Sequence, residues 1–295
     1  MKIHYYPGCT LKAKALNLEE SARAALAALD VELVEPERWN CCGAVFSLAD
    51  DDLLRLVAPV RNLARVVELG GSELVTTCSM CYNTLARANE VMREDEEKRY
   101  TINAFMDDEP DYEGQVDVLH LLTLLRDKVG WEQIKSKVKK PLEGLRIAPY
   151  YGCTLVRPAS VSIDKGVKRS VFEDFITALG AQPVSFPLDA DCCSSFQMVS
   201  NPEAAMDSAA RILTSAVEWG ADLVAMSCPL CEYNLGKKQE EIRNRKAGMK
   251  EVPTLYFTQL LAMALGLDEE TCRFDLNPGW VKEILVEKGL VNADS

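Results

Sequence analysis

Short apolar runs alternate with longer amphipathic stretches along most of the chain. In the first half, the runs at 2–7, 31–35, 73–77 and 116–119 predict strands, and the stretches at 17–30, 50–69, 82–96 and 121–138 predict helices. The second half predicts strands at 145–150, 182–186, 222–227 and 252–257, with helices at 164–179, 202–219, 231–246 and 258–265. Strands alternating with helices indicate an α/β fold: two repeated small domains, each a mostly parallel sheet flanked by helices.

The two halves also share their cysteine motifs. Tyr5-Tyr6-Pro7-Gly8-Cys9 recurs one residue shorter as Tyr150-Tyr151-Gly152-Cys153, Asn40-Cys41-Cys42-Gly43 recurs as Asp191-Cys192-Cys193-Ser194, and Cys78-Ser79-Met80-Cys81 recurs as Cys228-Pro229-Leu230-Cys231. Ten of the eleven cysteines fall into this repeat, and Cys272 is left over. The basic segment 133–144 ends in Pro and Gly, so we predict two cysteine-rich domains, 1–142 and 143–295.

The cysteines of each copy follow its first three predicted strands. The carboxyl ends of parallel strands meet at one edge of a sheet, where open α/β folds bind their ligands. We therefore expect the fold to bring together five cysteines in each copy, although they are scattered along the sequence.

Composition and charge narrow the possible functions of these cysteines. The chain has 295 residues, 48% of them hydrophobic, and a formal charge of −12, which disfavours nucleic-acid binding. No apolar run reaches the roughly 20 residues that span a bilayer, and the N-terminus has no secretory signal pattern. We therefore expect a cytoplasmic protein, and in a reducing cytosol clustered cysteines are metal ligands or redox groups more often than disulfides.

Five cysteines per copy exceed what one tetrahedral ion needs. Four thiolates satisfy Zn²⁺ or an ordinary cubane cluster, and an adjacent Cys-Cys pair suits a polynuclear site better than a single ion. The Cys-x-x-Cys that opens a helix places two thiolates where amides and the helix dipole favour negative charge. The alternatives are a structural zinc in each copy and a thioredoxin-like dithiol of Cys78 and Cys81. We interpret Cys272 as a buried, inert thiol, and the paired tyrosines before Cys9 and Cys153 as packed strand residues.

The complete motif set resembles the paired CCG domains of the heterodisulfide reductase B subunit, from Tyr5 to about Leu265. The resemblance implies two non-cubane [4Fe-4S] clusters whose ligands are also the catalytic residues: Cys9, Cys41, Cys42, Cys78 and Cys81 for the first, and Cys153, Cys192, Cys193, Cys228 and Cys231 for the second. It also implies a small disulfide substrate, such as that of coenzyme M and coenzyme B. We expect this substrate between the domains and reduced by two one-electron transfers. The second copy departs from the motif at Ser194.

The same resemblance implies partner proteins. The chain has neither a ferredoxin cysteine run nor a Gly-x-Gly-x-x-Gly fingerprint, so electrons would come from two partners, one small and ferredoxin-like and one flavin-containing. A hydrogenase or formate dehydrogenase could join them in flavin-based electron bifurcation. Lys12, Lys14 and Arg157 are candidate cations for an anionic substrate, or simply solvated charges. The rival functions are a cluster-bearing electron-transfer subunit of a dehydrogenase or quinone-linked complex, and a zinc-bound structural subunit.

Overall fold

The computed structural model describes residues 1–44, 52–165, 169–246 and 248–292 and contains two parallel four-stranded sheets. The strands are β1 Lys2–Tyr5, β2 Glu32–Val34, β3 Glu73–Thr76, β4 Asp117–His120, β5 Arg146–Pro149, β6 Gln182–Pro183, β7 Leu223–Met226 and β8 Thr254–Tyr256. The first sheet has the order β2-β1-β3-β4 and the second the order β6-β5-β7-β8, so the second repeats the first strand by strand. The predicted fold class is confirmed.

Helices flank both sheets. In the first half they are α1 Leu16–Ala28, α2 Leu54–Glu68, α3 Ser79–Glu94, α4 Glu96–Phe105, α5 Leu121–Leu124 and α6 Trp131–Lys137. In the second half they are α7 Val171–Ala178, α8 Pro202–Glu218, α9 Pro229–Glu232, α10 Gln239–Arg245, α11 Phe257–Ala264 and α12 Gly279–Glu287. Two π-helical segments, Leu125–Val129 and Tyr233–Lys237, join α5 to α6 and α9 to α10.

Several predicted elements are shorter than their sequence patterns. The edge strand β6 keeps two residues, and Pro183 fits there because an edge strand needs no amide hydrogen on its open side. The helix predicted over 121–138 is divided at Gly130, where φ is +85°. Parts of the helices predicted at 50–69 and 164–179 lie outside the described residues. The domain boundary at 142 stays a prediction.

The two repeated units pack directly on each other. On one side α1 lies against α11, where the Asn17 amide donates to Asn277 at 3.1 Å and the hydroxyls of Ser21 and Thr258 lie 2.7 Å apart. Elsewhere in the interface, His120 at the end of β4 stacks on Phe257 at the start of α11, with ring centroids 5.7 Å apart. None of the described helices is both long and apolar enough to cross a membrane.

Candidate metal centre

Strand ends position the five cysteines of each unit, as the repeat predicts. Cys9 follows β1, the pair Cys41/Cys42 follows β2, and Cys78 and Cys81 lie at the start of α3 directly after β3. In the second unit the corresponding strands are β5, β6 and β7. All eleven cysteines lie within the described residues and all are free thiols.

The sulfur atoms approach one another in matching pairs. In the first unit, Cys9 Sγ lies 3.6 Å from Cys41 Sγ, and Cys42 Sγ lies 3.6 Å from Cys81 Sγ. In the second unit the corresponding distances are 3.8 Å for Cys153–Cys192 and 3.4 Å for Cys193–Cys231. No group of three or more His, Cys, Asp or Glu side chains in the described ranges is arranged to hold a single metal ion. Five thiols in linked pairs fit a polynuclear centre better than one tetrahedral ion.

The two sets of thiols meet at the interface between the units. Cys78 forms a hydrogen bond with Cys228 of the other unit, and both residues are buried. Cys78 also bonds Cys81, and Cys228 also bonds Cys231. A continuous path of sulfur contacts therefore joins one cysteine set to the other.

Each set is open to solvent along one edge. Cys9 and Cys41 are exposed, Cys153 and Cys192 are half-buried, and the other six motif cysteines are buried. The exposed edge is where a substrate can reach the thiols. The buried side is where the two units exchange contacts.

Hydrogen bonds divide the thiols into donors and acceptors. The pKa of Cys42 is lowered to about 3 because its sulfur accepts hydrogen bonds from Cys41 and Cys81. A hydrogen bond from Cys153 lowers the pKa of Cys192 to about 6. Cys42 and Cys192 are thus ready to be thiolates, the protonation state in which cysteine binds metal.

A buried tyrosine supports the Cys-Cys loop in each unit. The Tyr6 hydroxyl donates to the Asn40 carbonyl at 2.8 Å, and the Tyr150 hydroxyl donates to the Asp191 carbonyl at 2.6 Å. Burial, and then the nearby thiols, raise the pKa of both tyrosines, so both stay protonated donors. These tyrosines are therefore more than packed strand residues, and their recurrence in both motifs is the sequence signal for it.

The same residues correct the alignment of the two copies. Tyr6 N donates to Val75 O and Tyr150 N donates to Ala225 O, both at 2.8 Å. Tyr6 therefore corresponds to Tyr150, and Pro7 to Tyr151. No residue is missing from the second motif, so the predicted one-residue shortening is wrong.

Ser194 keeps the backbone shape of the glycine it replaces. Gly43 has φ +75° and Ser194 has φ +58°, both in the left-handed region. The Ser194 amide donates to Cys192 Sγ at 3.3 Å, and its hydroxyl bonds that of Ser208 at 3.1 Å. These bonds offset part of the roughly 1–2 kcal/mol that a side chain costs in this conformation.

The candidate cations differ in their surroundings. Lys12 is paired with Glu35 at 2.7 Å and with Glu19 at 3.3 Å, which satisfies its charge inside the protein. Arg157 is exposed, donates to the Ala190 carbonyl at 2.9 Å and lies near enough to Cys192 to contribute to its lowered pKa. Lys14 is exposed. Among the three, Arg157 is the cation that the fold directs towards a thiol set.

Comparisons with known proteins agree with the repeat. The sequence profile of the cysteine-rich domain family called CCG matches residues 3–86 and 147–236. The chain is 35% identical, over 89% of its length and 92% of the relative, to the 8-methylmenaquinol:fumarate reductase membrane anchor subunit of Wolinella succinogenes. It is 26% identical, over 94% of its length and 93% of the relative, to the B subunit of the ferredoxin/F420H2-dependent CoB-CoM heterodisulfide reductase of Methanosarcina acetivorans.

One solved structure shares the fold. A hypothetical protein from Helicobacter pylori superposes with a TM-score of 0.75 over 94% of this chain, at 15% identity. This chain spans 51% of that longer protein. The likeness therefore concerns the fold alone.

Proposed function

This chain belongs to the cysteine-rich CCG domain family, and on that premise we propose that it is the catalytic iron–sulfur subunit of a multi-subunit disulfide reductase. The observation that carries the proposal is the path of sulfur contacts that joins two five-thiol sets through Cys78 and Cys228. Two relatives from Methanosarcina species, both named as heterodisulfide reductase B subunits, support it.

The proposed ligands are the two predicted sets, each holding one [4Fe-4S] cluster of the non-cubane type. They are Cys9, Cys41, Cys42, Cys78 and Cys81 in the first unit, and Cys153, Cys192, Cys193, Cys228 and Cys231 in the second. When bound, each cluster would supply one electron at a time to a disulfide. Two electrons and two protons convert one S–S bond into two thiols, so two such centres match the reaction.

The residues of the chain would control access and orientation. The half-buried Cys153 and Cys192 and the exposed Cys9 and Cys41 leave one side of each centre open to a substrate. Arg157, exposed beside Cys192, would hold a carboxylate, phosphate or sulfonate group of an anionic disulfide.

Electrons would reach these centres from other proteins of the complex. The proposed donors are a small ferredoxin-like partner and a flavin-containing partner. A hydrogenase or a formate dehydrogenase would in turn reduce the flavin. Tyr6 and Tyr150 would hold the Cys-Cys loops in place during transfer, through the carbonyls they bond.

A second function is favoured by the 35% identical relative. That protein is named as part of a menaquinol:fumarate reductase, so this chain could instead pass electrons between a quinol and a partner enzyme. The same cysteine sets would serve both functions. The difference lies in the molecule that meets the exposed edge.

Metal content tests the shared part of the proposal. Protein purified without oxygen is expected to hold about eight irons and eight sulfides per chain, the sum of two four-iron sites. Reduction of a small disulfide by an artificial one-electron donor would then support the reductase, and oxidation of a menaquinol analogue without disulfide reduction would support the second function. One or two zinc ions with little iron would contradict both.

A matched pair of glycines tests the proposed ligand geometry. A Cβ at Gly8 would lie 2.9 Å from Cys81 Sγ, whereas a Cβ at Gly152 would lie 3.7 Å from Cys231 Sγ. Both glycines have positive φ, so an alanine brings similar backbone strain at either position. Gly8→Ala is expected to remove about half of the iron, the share of one of two such sites, while Gly152→Ala keeps nearly all of it. Equal iron loss in the two variants would count against the proposed first site.

A further inference from the structure

The helix that carries Cys78 and Cys81 also reaches the cysteine set of the other unit. Ser79, the first residue of α3, is 1% exposed and its hydroxyl donates a hydrogen bond to Cys228 in the second unit. Cys228 is itself 6% exposed. A side chain of the first unit therefore touches a proposed ligand of the second.

A second hydroxyl fixes the direction of this hydrogen bond. Thr154 follows Cys153 in the second unit, and its hydroxyl donates to Ser79 Oγ at 3.1 Å. Ser79 therefore has its own hydrogen free for the Cys228 sulfur. The three groups form a relay from Thr154 through Ser79 to Cys228.

Asn83 holds the loop from which the relay begins. Its amide nitrogen donates to the Thr154 carbonyl at 2.8 Å and to the Arg157 carbonyl at 2.7 Å. Tyr82, beside it, donates to the Val161 carbonyl at 2.9 Å. One turn of α3 thus fixes the loop 153–161 of the other unit, and with it the position of Thr154.

The corresponding relay is missing from the first unit, among the residues that the structure describes. Pro229 occupies the position of Ser79 and has neither a hydroxyl nor an amide hydrogen. The second copy also has one residue more after its last motif cysteine, and a π-helix, Tyr233–Lys237, follows there. Asn234 consequently donates to the Cys193 carbonyl in its own unit instead of reaching across. Thr10, the counterpart of Thr154, lies 3.9 Å from its own neighbour Cys9 Sγ.

We propose that Ser79 is a positioning residue of the second centre: its hydroxyl stabilises the Cys228 thiolate and makes that centre the more easily reduced of the two. The inference rests on the proposed iron–sulfur function. Reduction adds negative charge to the centre and its thiolate ligands, and a donated hydrogen bond stabilises that charge. Hydrogen bonds to the sulfurs are among the factors that set the reduction potential of an iron–sulfur centre. The first electron from a partner therefore settles on the second centre.

An anaerobic redox titration followed by EPR and visible absorption tests this assignment. In the wild-type protein the two centres should titrate at different potentials, and loss of one signal in Cys153→Ser identifies the second centre. Ser79→Ala should lower the reduced-to-oxidised ratio of that centre at a fixed potential by about three- to tenfold, the range expected for losing part of a charged hydrogen bond. The first centre should not move.

Two further variants separate tuning from general disruption. Ser79→Thr keeps the hydroxyl and should restore the wild-type titration, while Pro229→Ala, at the corresponding position, should shift neither centre. A Ser79→Ala titration that matches the wild type, or moves both centres equally, overturns the inference. If that protein still holds two clusters, the iron–sulfur function stands. A wild-type protein without iron removes both.

Discussion

Replacing Cys42 or Cys193 by Ala is expected to abolish disulfide reduction and to remove roughly half of the bound iron, because each is one of the five proposed ligands of one of two four-iron sites. Both residues are buried, and each sulfur lies within 3.6 Å of the sulfur of Cys81 or Cys231, respectively. Alanine leaves an iron without its thiolate at a place that water does not easily reach. Iron and sulfide analysis together with steady-state reduction by an artificial donor measures both effects.

Cys272 provides the matched control for this loss. It is also buried and free, but its thiol bonds the Gln259 carbonyl and it lies outside both cysteine sets. Burial raises its pKa to about 12, so it stays a thiol at neutral pH. Cys272→Ala should keep its full iron content and its activity. Wild-type turnover in both Cys42→Ala and Cys193→Ala would refute the proposed mechanism.

The repeated pattern allows most of the fold to be predicted from the sequence. Alternating short apolar runs and amphipathic stretches predict all eight strands, because parallel strands buried on both faces are rich in apolar residues. The cysteines then follow from topology, since each motif comes directly after a strand or in the next loop. Helix α4, Glu96–Phe105, was not predicted because it follows α3 after one residue and lacks a broad apolar face. Helix α12, Gly279–Glu287, was not predicted either.

The contacts between the units could not be predicted in the same way. Whether Ser79 faces Cys228 or solvent depends on how two sheets pack, and no local pattern encodes that packing. The difference between Ser79 and Pro229 is visible in the sequence, but its meaning appears only when both residues are placed at one interface. The extra residue after Cys231 is visible too, and the structure shows a π-helix there.

An aromatic cluster that joins the units gives the largest expected effect on stability. Phe257 is fully buried, and its ring centroid lies 5.7 Å from those of His120 and Phe175 and 6.1 Å from that of Phe172. His120 belongs to the first unit, and burial lowers its pKa to about 3, so it packs as a neutral ring. Phe257→Ala should lower the free energy of unfolding by about 3–5 kcal/mol, since it leaves a cavity among rings that cannot all move inwards.

Phe257→Leu distinguishes this cavity from a loss of ring-specific contacts. Leucine keeps most of the apolar volume, so the cost should fall to about 1.5 kcal/mol if packing dominates. Denaturant unfolding of both variants without oxygen, at matched iron content, measures the difference. Equal losses in the two variants would show that the aromatic edge contacts, rather than filled volume, hold the units together. The Ala variant should also release iron sooner on heating, because the interface that brings Cys78 to Cys228 depends on the same packing.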